Sequence, residues 1–276
     1  MNAVLESIIK ACKELNIEYE DPREDGMSIR VKIDGKWRYS IYNKIFVNTS
    51  DMQNVCTDKE YTYSILKNVI SYPRYKKYLE YDSSARHNYL AEFETNEKII
   101  EDIKKEFSYP MIVKMNKGSA GKNIFKCNDR KDLREAVNTI FCKSQPQDYL
   151  LMAQEYIEIK HEYRVITYKG DIELMYEKDI SNAKYSGNLS PLHWDGAKAV
   201  LVKNMETEES IQKFIDPIFK TLPITLAGID IVEDTNGRYW FIEINGNPAF
   251  GYFVNDCGSK QLDELMVKVL SDIIIK

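Results

Sequence analysis

The dipeptide Asn236-Gly237 lies between Ile229-Asp230-Ile231-Val232-Glu233 and Tyr239-Trp240-Phe241-Ile242-Glu243-Ile244-Asn245, and it constrains this chain more than any other feature. Asn-Gly is the preferred pair for a two-residue hairpin turn, because both central positions of that turn need a positive φ. A two-residue loop sets the register of the strands beside it, so Thr235 is expected to face Arg238. Counting outward, Asp230 lies five residues before Thr235 and Glu243 five after Arg238, which opposes two carboxylates across the ladder. The period of two puts Glu243 and Asn245 on one face beside Asp230, with Ile242 and Ile244 on the other. Like charges so opposed repel. Two readings meet that cost. One is an edge hairpin whose acids face water, which antiparallel sheets tolerate. The other is a hard divalent cation such as Mg²⁺, bound by two carboxylates and an amide and completed by phosphate oxygens. The aromatic and aliphatic residues around the acids make the water-facing arrangement the less comfortable one.

The remaining patterns predict a mixed α+β chain. Val4, Leu5, Ile8, Ile9, Cys12 and Leu15 form a helical stripe over residues 3–15. Residues 27–33 and 36–46 alternate in polarity around Asp34-Gly35, a second hairpin signal. Residues 57–66 read as helix, as do residues 95–107 with Thr95 as N-cap. Beyond Pro110, an apolar strand at 111–115, a polar loop at 116–123 and a returning strand at 123–127 precede a helix at 129–141. A strand at 149–154 runs into Glu155-Tyr156-Ile157. Residues 162–168 and 172–178 flank Lys169-Gly170 as a further hairpin, and a closing helix spans 261–274. No internal repeat and no low-complexity linker divides the chain.

Composition narrows the chemistry. The 276 residues include 43% apolar and 29% charged side chains, as in ordinary soluble domains, and no apolar run reaches the length of about 18 that spans a bilayer. The start Met1-Asn2-Ala3-Val4-Leu5-Glu6 lacks the basic region and apolar stretch of a signal peptide, so the cytoplasm is the default expectation. Five scattered cysteines without a C-x-x-C pair argue against a disulfide framework or zinc ribbon, and the three histidines have no metal-binding spacing. A net charge of -5 gives no global attraction to nucleic acid or anionic lipid, so a polyanion bound here must meet a local cationic cluster.

Lys114 sits inside an apolar strand, where an unpaired ammonium is costly, and it calls for an anionic partner. The loop Lys117-Gly118-Ser119-Ala120-Gly121-Lys122 has glycines that would let backbone N–H groups approach phosphate. It lacks the spacing of a Walker A loop and joins two strands, and a plain turn is the commoner use of such residues.

Taken in order, these pieces resemble the ATP-grasp superfamily over nearly the whole chain after about residue 55. Tyr109-Pro110-Met111-Ile112-Val113-Lys114 resembles its P-x-[VI]-[VI]-K strand. Gly118-Ser119-Ala120-Gly121-Lys122 is similar to its glycine-rich loop, and Asp58-Lys59 to its upstream D-K element. Gln154-Glu155-Tyr156-Ile157 resembles its adenine-reading strand, Glu162 stands where the family places a ribose carboxylate, and Asp230, Glu243 and Asn245 match its D…E-x-N magnesium set. The resemblance therefore implies a nucleotide pocket of Lys59, Lys114, Gly118, Ser119, Gly121, Glu155, Tyr156, Ile157, Glu162 and Ile242. ATP and Mg²⁺ are the implied cofactors, with Mn²⁺ as a permissible substitute. The N-terminal run resembles the entry to the ATP-grasp domain of cyanophycin synthetases, and Asn188-Leu189-Ser190 with Gly196 is similar to an element of RimK-like peptide ligases. Gly228 stands where the D-alanine:D-alanine ligase branch has arginine.

The implied fold is two α+β subdomains clamping a nucleotide. Its divisions are a shortened α/β pre-domain at 1–56, a central helical segment at 57–106, a lid subdomain at 107–157 and a magnesium-bearing subdomain at 158–276. The implied activity is an ATP-dependent carboxylate-amine ligase working through an acyl phosphate on an amino acid or peptide. A kinase of the same fold and a non-catalytic nucleotide module are the alternatives. The first would need a denser cationic cluster, and the second should have lost one of Lys59, Lys114, Glu243 or Asn245. Arg164 and Lys178, on adjacent strands, are candidates for binding the substrate carboxylate and the transferring phosphate, set against a solvated strand face. Lys184, His193 and Lys198 fall in an irregular stretch that reads as a substrate loop or a plain one, and His161 as a loop residue. Small-molecule or peptide acids and amines are the expected partners, without nucleic acid or membrane. The short pre-domain leaves room for a second subunit to complete the acceptor pocket, as a homodimer would.

Overall fold

The computed structural model describes residues 2–80, 90–118, 120–142 and 149–274. Helix α1 (Ala3–Glu14) starts at Asn2, whose side chain accepts the Val4 N–H and so satisfies one of the free donors of the first turn. Its apolar stripe packs on α8 (Lys260–Ile274). A three-stranded antiparallel sheet follows, in the order β1-β2-β3, from β1 (Tyr19–Glu20), β2 (Ser28–Ile33) and β3 (Lys36–Ile41). The Asp34-Gly35 hairpin forms as expected, but β3 stops at Ile41 and does not continue to residue 46. Tyr42 takes a left-handed backbone (φ 56°) that carries the chain out of the sheet.

Helices α2 (Ser50–Thr57) and α3 (Lys59–Ile65) are separated by Asp58, whose backbone is extended and whose carboxylate caps α3 through the Tyr61 N–H. The segment 57–106, expected to be helical, also supplies a strand, β4 (Tyr75–Leu79). It joins β5 (Met111–Met115), β6 (Ile124–Cys127) and β7 (Leu150–Glu155) in a sheet of order β4-β7-β5-β6. Helices α4 (Asn96–Glu106) and α5 (Arg130–Ile140) cover this sheet through Ile99, Ile103, Leu133 and Val137, with Thr95 and Asp129 as their N-caps.

The third sheet has the order β10-β9-β8-β11-β12, from β8 (Ile159–Tyr168), β9 (Asp171–Asp179), β10 (Lys198–Leu201), β11 (Leu226–Asp234) and β12 (Tyr239–Asn245). Lys198 is thus a strand residue, not part of an irregular stretch, and His161 lies in β8 with its ring 2.6 Å from Glu177. One face of the sheet packs under α6 (Met205–Thr221) through Ile229, Ile231 and Phe241. The other buries Ile166, Leu174 and Tyr176 in the same core as β2 and the short helix α7 (Gly251–Cys257). Farther along that second face the residues become charged.

The β11-β12 turn is longer than expected. Gly237 N–H donates to the Asp234 carbonyl (3.0 Å) and Asp234 N–H to the Arg238 carbonyl (2.9 Å), so Asp234, not Thr235, faces Arg238 and the loop holds three residues. The Asp234 carboxylate organises it, accepting from the Asn236 and Arg238 N–H groups and from the Trp240 ring N–H. Those bonds, the Arg238 backbone first, hold the carboxyl down at about 2. Asp230 nevertheless pairs with Glu243, because a bulge puts Ile242 in as an extra residue on β12. One residue more in the turn and one more in the strand restore the expected pairing.

Candidate active site

Asp230 lies between Arg164 on β8 and Glu243 on β12. Arg164 Nη2 donates to Asp230 Oδ2 (3.0 Å), and Nε lies 2.7 Å from Oδ1. The second contact lacks hydrogen-bond alignment, so Nε and Oδ1 are both buried without an aligned partner. Lys178 brings its ammonium within 3.0 Å of Asp230 Oδ1 and 2.5 Å of Glu162. The solvated strand face is therefore not what Arg164 and Lys178 form. Burial opposes both cations, yet Asp230 raises each above its ordinary range, Glu162 adding to the effect on Lys178. Burial pushes the Asp230 carboxyl up, and Arg164 and Lys178 oppose it. Gly228 is small for a reason, since a Cβ there would lie 2.7 Å from Pro248 and 3.1 Å from Arg164 Nη1.

Glu243 accepts from Asn245 Nδ2 (3.1 Å) and lies 3.5 Å from the Lys59 ammonium. Burial acts to raise its carboxyl, but Lys59 and Arg164 outweigh burial and hold it at about 2. Lys59, buried at the start of α3, also donates to the carbonyls of Gly118 (2.8 Å) and Asn116 (3.3 Å). One ammonium thus joins the carboxylate hairpin to the glycine-rich loop. Lys114 is buried beside it, and its contacts are the Tyr63 hydroxyl at 3.4 Å and the Tyr63 ring at 5.2 Å. The anionic partner expected for it is not found within ion-pair distance among the described residues. Burial, then the neighbouring Lys59, bring its pKa down to about 7 against the pull of Glu243.

Asp230, Glu243 and Asn245 offer only oxygen donors, the set a hard divalent ion takes, with Asp230 Oδ1 held between Arg164 and Lys178 without an aligned hydrogen bond. The residues fit such an ion. No group of three or more His, Cys, Asp and Glu side chains suited to a metal occurs among the described residues.

Gly121 has φ 70°, and a Cβ there would lie 1.9 Å from Asn188 Oδ1, while Asn188 Nδ2 donates to the Ala120 carbonyl (3.0 Å). At Gly118 the nearest atom to a Cβ would be the Lys122 carbonyl at 3.4 Å, an ordinary contact. Ser119 lies outside the described residues. Glu155 closes β7, with its N–H on the Arg74 carbonyl and its carboxylate on the Arg74 N–H. Lys126 stands 3.9 Å over the Tyr156 ring, and Ile157 is half-buried in the connection to β8. Glu162 is held by Lys178 at the edge of the charged cluster.

A family model described as the RimK-like ATP-grasp domain matches residues 84–270. The chain belongs to the RimK-like ATP-grasp family. The fold of this ATP-grasp chain is similar to that of D-alanine–D-alanine ligase from Bacillus anthracis, with TM-score 0.57, 18% identity, and coverage of 81% of this chain and 67% of that one. It is also similar to a RiPP-associated ATP-grasp ligase from Chryseobacterium gregarium, solved in complex with ADP and a leader and core peptide. That likeness has TM-score 0.59 and 14% identity and covers 98% of this chain and 92% of the other. In sequence, the uncharacterized protein MG012 homolog of Mycoplasma pneumoniae is 23% identical over 151 residues, which cover 55% of this chain and 48% of that protein.

Three residues of the candidate site in this ATP-grasp chain were not anticipated. Tyr63 donates to the Ile242 carbonyl at the bulge (2.7 Å), so Ile242 is bound through its backbone. Its signal was position, four residues after Lys59 on the same helix face. Asn116 is buried and accepts the Glu60 N–H (2.8 Å), tying α3 to the end of β5. Asn48 makes four side-chain bonds, donating to the Leu226 and Gly246 carbonyls and accepting from the Thr225 and Leu226 N–H groups, and so clamps the open end of the carboxylate hairpin. In the 184–197 stretch, the Lys184 backbone N–H donates to the Asp195 carbonyl (2.8 Å), and the His193 ring meets Tyr252 edge-on.

Proposed function

We propose that this protein is an ATP- and Mg²⁺-dependent carboxylate-amine ligase, acting on an amino acid or peptide through an acyl phosphate. The observation that carries the reading is the placement of Lys59, whose one ammonium touches Glu243, the Gly118 carbonyl of the glycine-rich loop and the Asn116 carbonyl at the end of β5. A triphosphate entering between hairpin and loop meets Lys59 and the partner-poor Lys114 on one side and the acids on the other. Asp230, Glu243 and Asn245 would hold Mg²⁺, which would neutralise phosphate charge there.

Lys59 and Lys114 bind and orient phosphate oxygens, and Lys114 gains the anion its burial lacks. The substrate carboxylate attacks the γ-phosphorus, the bond to the β-phosphate oxygen breaks, and ADP leaves. Arg164 has Nη1 outside its pair with Asp230, and with Lys178 it balances the negative charge gathered there. An amine then attacks the acyl carbon, the carbon-oxygen bond to phosphate breaks, and the leaving phosphate takes the amine proton. Positioning and electrostatics supply the acceleration. Asn188, which donates to the Ala120 carbonyl, tethers the glycine-rich loop.

A screen of acids with amines, reading ADP and inorganic phosphate together, tests this. Equal release of both, only when acid and amine are both present, is expected. ADP without free phosphate would mean phosphate kept on an alcohol product, and no nucleotide consumption with any pair would leave a binding module. Either result overturns the reading.

A further inference from the structure

In the N-terminal sheet, β3 presents an edge that is uncovered as far as Ser40. The Tyr42 N–H donates to the Met27 carbonyl, which makes 27 and 42 a hydrogen-bonded pair, and the pairing repeats at 29 with 40 and 31 with 38. In an antiparallel ladder the intervening residues then point their backbone groups away from the partner. Trp37 and Tyr39 therefore turn their N–H groups off the sheet edge, whereas Ile41 is already bridged to Lys44, whose N–H donates to the Ile41 carbonyl (3.0 Å). Tyr39 and Ile41 are 57% and 46% exposed. A bare edge with apolar side chains is a template for another strand.

The charge of the edge selects what fits it. From Lys36 to Asn48 the chain carries Lys36, Arg38 and Lys44 and no carboxylate, in a protein of net charge -5. None of the three has an ion-pair partner among the described residues, whereas Arg30 and Lys32 on β2 are neutralised by Glu20 and Glu18. The same two neutralised cations lie over the Trp37 ring at 4.3 and 5.4 Å, so that ring is no open platform for a nucleobase. The far end of β3 leads to the charged site, since Asn43 Nδ2 donates to the Asn247 carbonyl (2.7 Å), two residues beyond Asn245.

We propose that the free edge of β3 docks an extended, acidic polypeptide segment, which adds to the β1-β2-β3 sheet as a fourth strand. Main-chain hydrogen bonds to Trp37 and Tyr39 hold the segment, which ends where Lys44 folds back on Ile41, and Lys36, Arg38 and Lys44 select its acidity. The proposal deepens the ligase reading by naming a polypeptide as the molecule delivered to the site, but the binding needs neither nucleotide nor turnover, so each idea can fail alone.

The test uses the full chain and a fluorescent decapeptide of alternating glutamate and valine, without ATP. Saturable binding is expected, with slower exchange of the Trp37 and Tyr39 amides. Arg38→Glu with Lys44→Glu, both on the surface, should weaken it by about tenfold or more, and the loss should shrink in high salt. Tyr39→Pro, which removes an N–H that bonds nothing in the sheet, should abolish binding while the circular dichroism stays unchanged. Equal binding of a lysine-valine decapeptide, preference for a single-stranded oligonucleotide, or no binding of the acidic peptide would each overturn the proposal. So would undiminished binding by the charge-reversed chain, which stands as the test should the proline variant fail to fold.

Discussion

Replacing Lys114 with methionine should make the protein more stable and less able to hold ATP. Burial and the nearby Lys59 depress this ammonium from 10.5 to about 7, with no carboxylate within ion-pair distance among the described residues. A displacement of that size corresponds to about 5 kcal/mol of opposition to the charge in the folded chain. At Lys114 the unfolded chain binds the proton more tightly than the folded one, so this residue's contribution to stability is least favourable below about pH 7 and improves as pH climbs toward 10.5. Methionine fills the space without the charge and gives up a hydrogen bond to the Tyr63 hydroxyl and a contact with its ring, together worth about 1–2 kcal/mol. Net stabilisation of about 3 kcal/mol at pH 6 follows, with the gap closing by about 1.4 kcal/mol per pH step between 7 and 10.5. Urea unfolding at pH 6 and pH 9 measures it, and calorimetric titration with Mg·ATP should show affinity reduced by about a hundredfold. A variant no more stable than wild type at pH 6, or one that binds ATP undiminished, would refute the reasoning.

Glu243→Gln removes the anion that Lys59 approaches and one donor of the cation set; turnover should fall by at least about a hundredfold, and the urea midpoint should fall too because buried Lys59 loses its carboxylate, as read by ADP formation and urea melts. Gly121→Ala puts a methyl against Asn188 at a positive φ, strain of about 1–3 kcal/mol confined to the loop. The KM for ATP should rise several-fold, and adding Asn188→Gly should recover part of it, a coupling that unrelated sites would not show. Asn48→Ala leaves buried ends of β11 and β12 without partners and should cost about 2–4 kcal/mol by urea unfolding.

The hairpin shows both the reach and the limit of reading this chain from its residues. Asp230 opposite Glu243 was legible because period two and a turn signal suffice to count strands. The count succeeded through two departures that cancel: Asp234 gathers the turn into a three-residue loop, and Tyr63 captures the Ile242 carbonyl where the bulge forms. Neither leaves a mark in local periodicity, since one depends on a side chain bonding several N–H groups and the other on a helix far away in sequence. Lys114 in an apolar strand was likewise legible as an uncomfortable charge. Its partner was not, because Tyr63 comes from α3. The stripe Ile211, Ile215, Ile218 was present for α6 but interrupted by Pro217, and β4 is a short strand of tyrosines and lysines that becomes one only by pairing with β7. Arg164 and Lys178 were visible as paired cations on neighbouring strands. Their burial around Asp230 follows from the order of the third sheet, which no local pattern specifies.

The chemistry itself has one direct test. With an acid and amine that support turnover, the acid is labelled with ¹⁸O in its carboxylate and the released phosphate is analysed by mass. Attack of that carboxylate on the γ-phosphorus predicts one labelled oxygen in each phosphate. Unlabelled phosphate, or label in AMP, would show that the bond forms by another route.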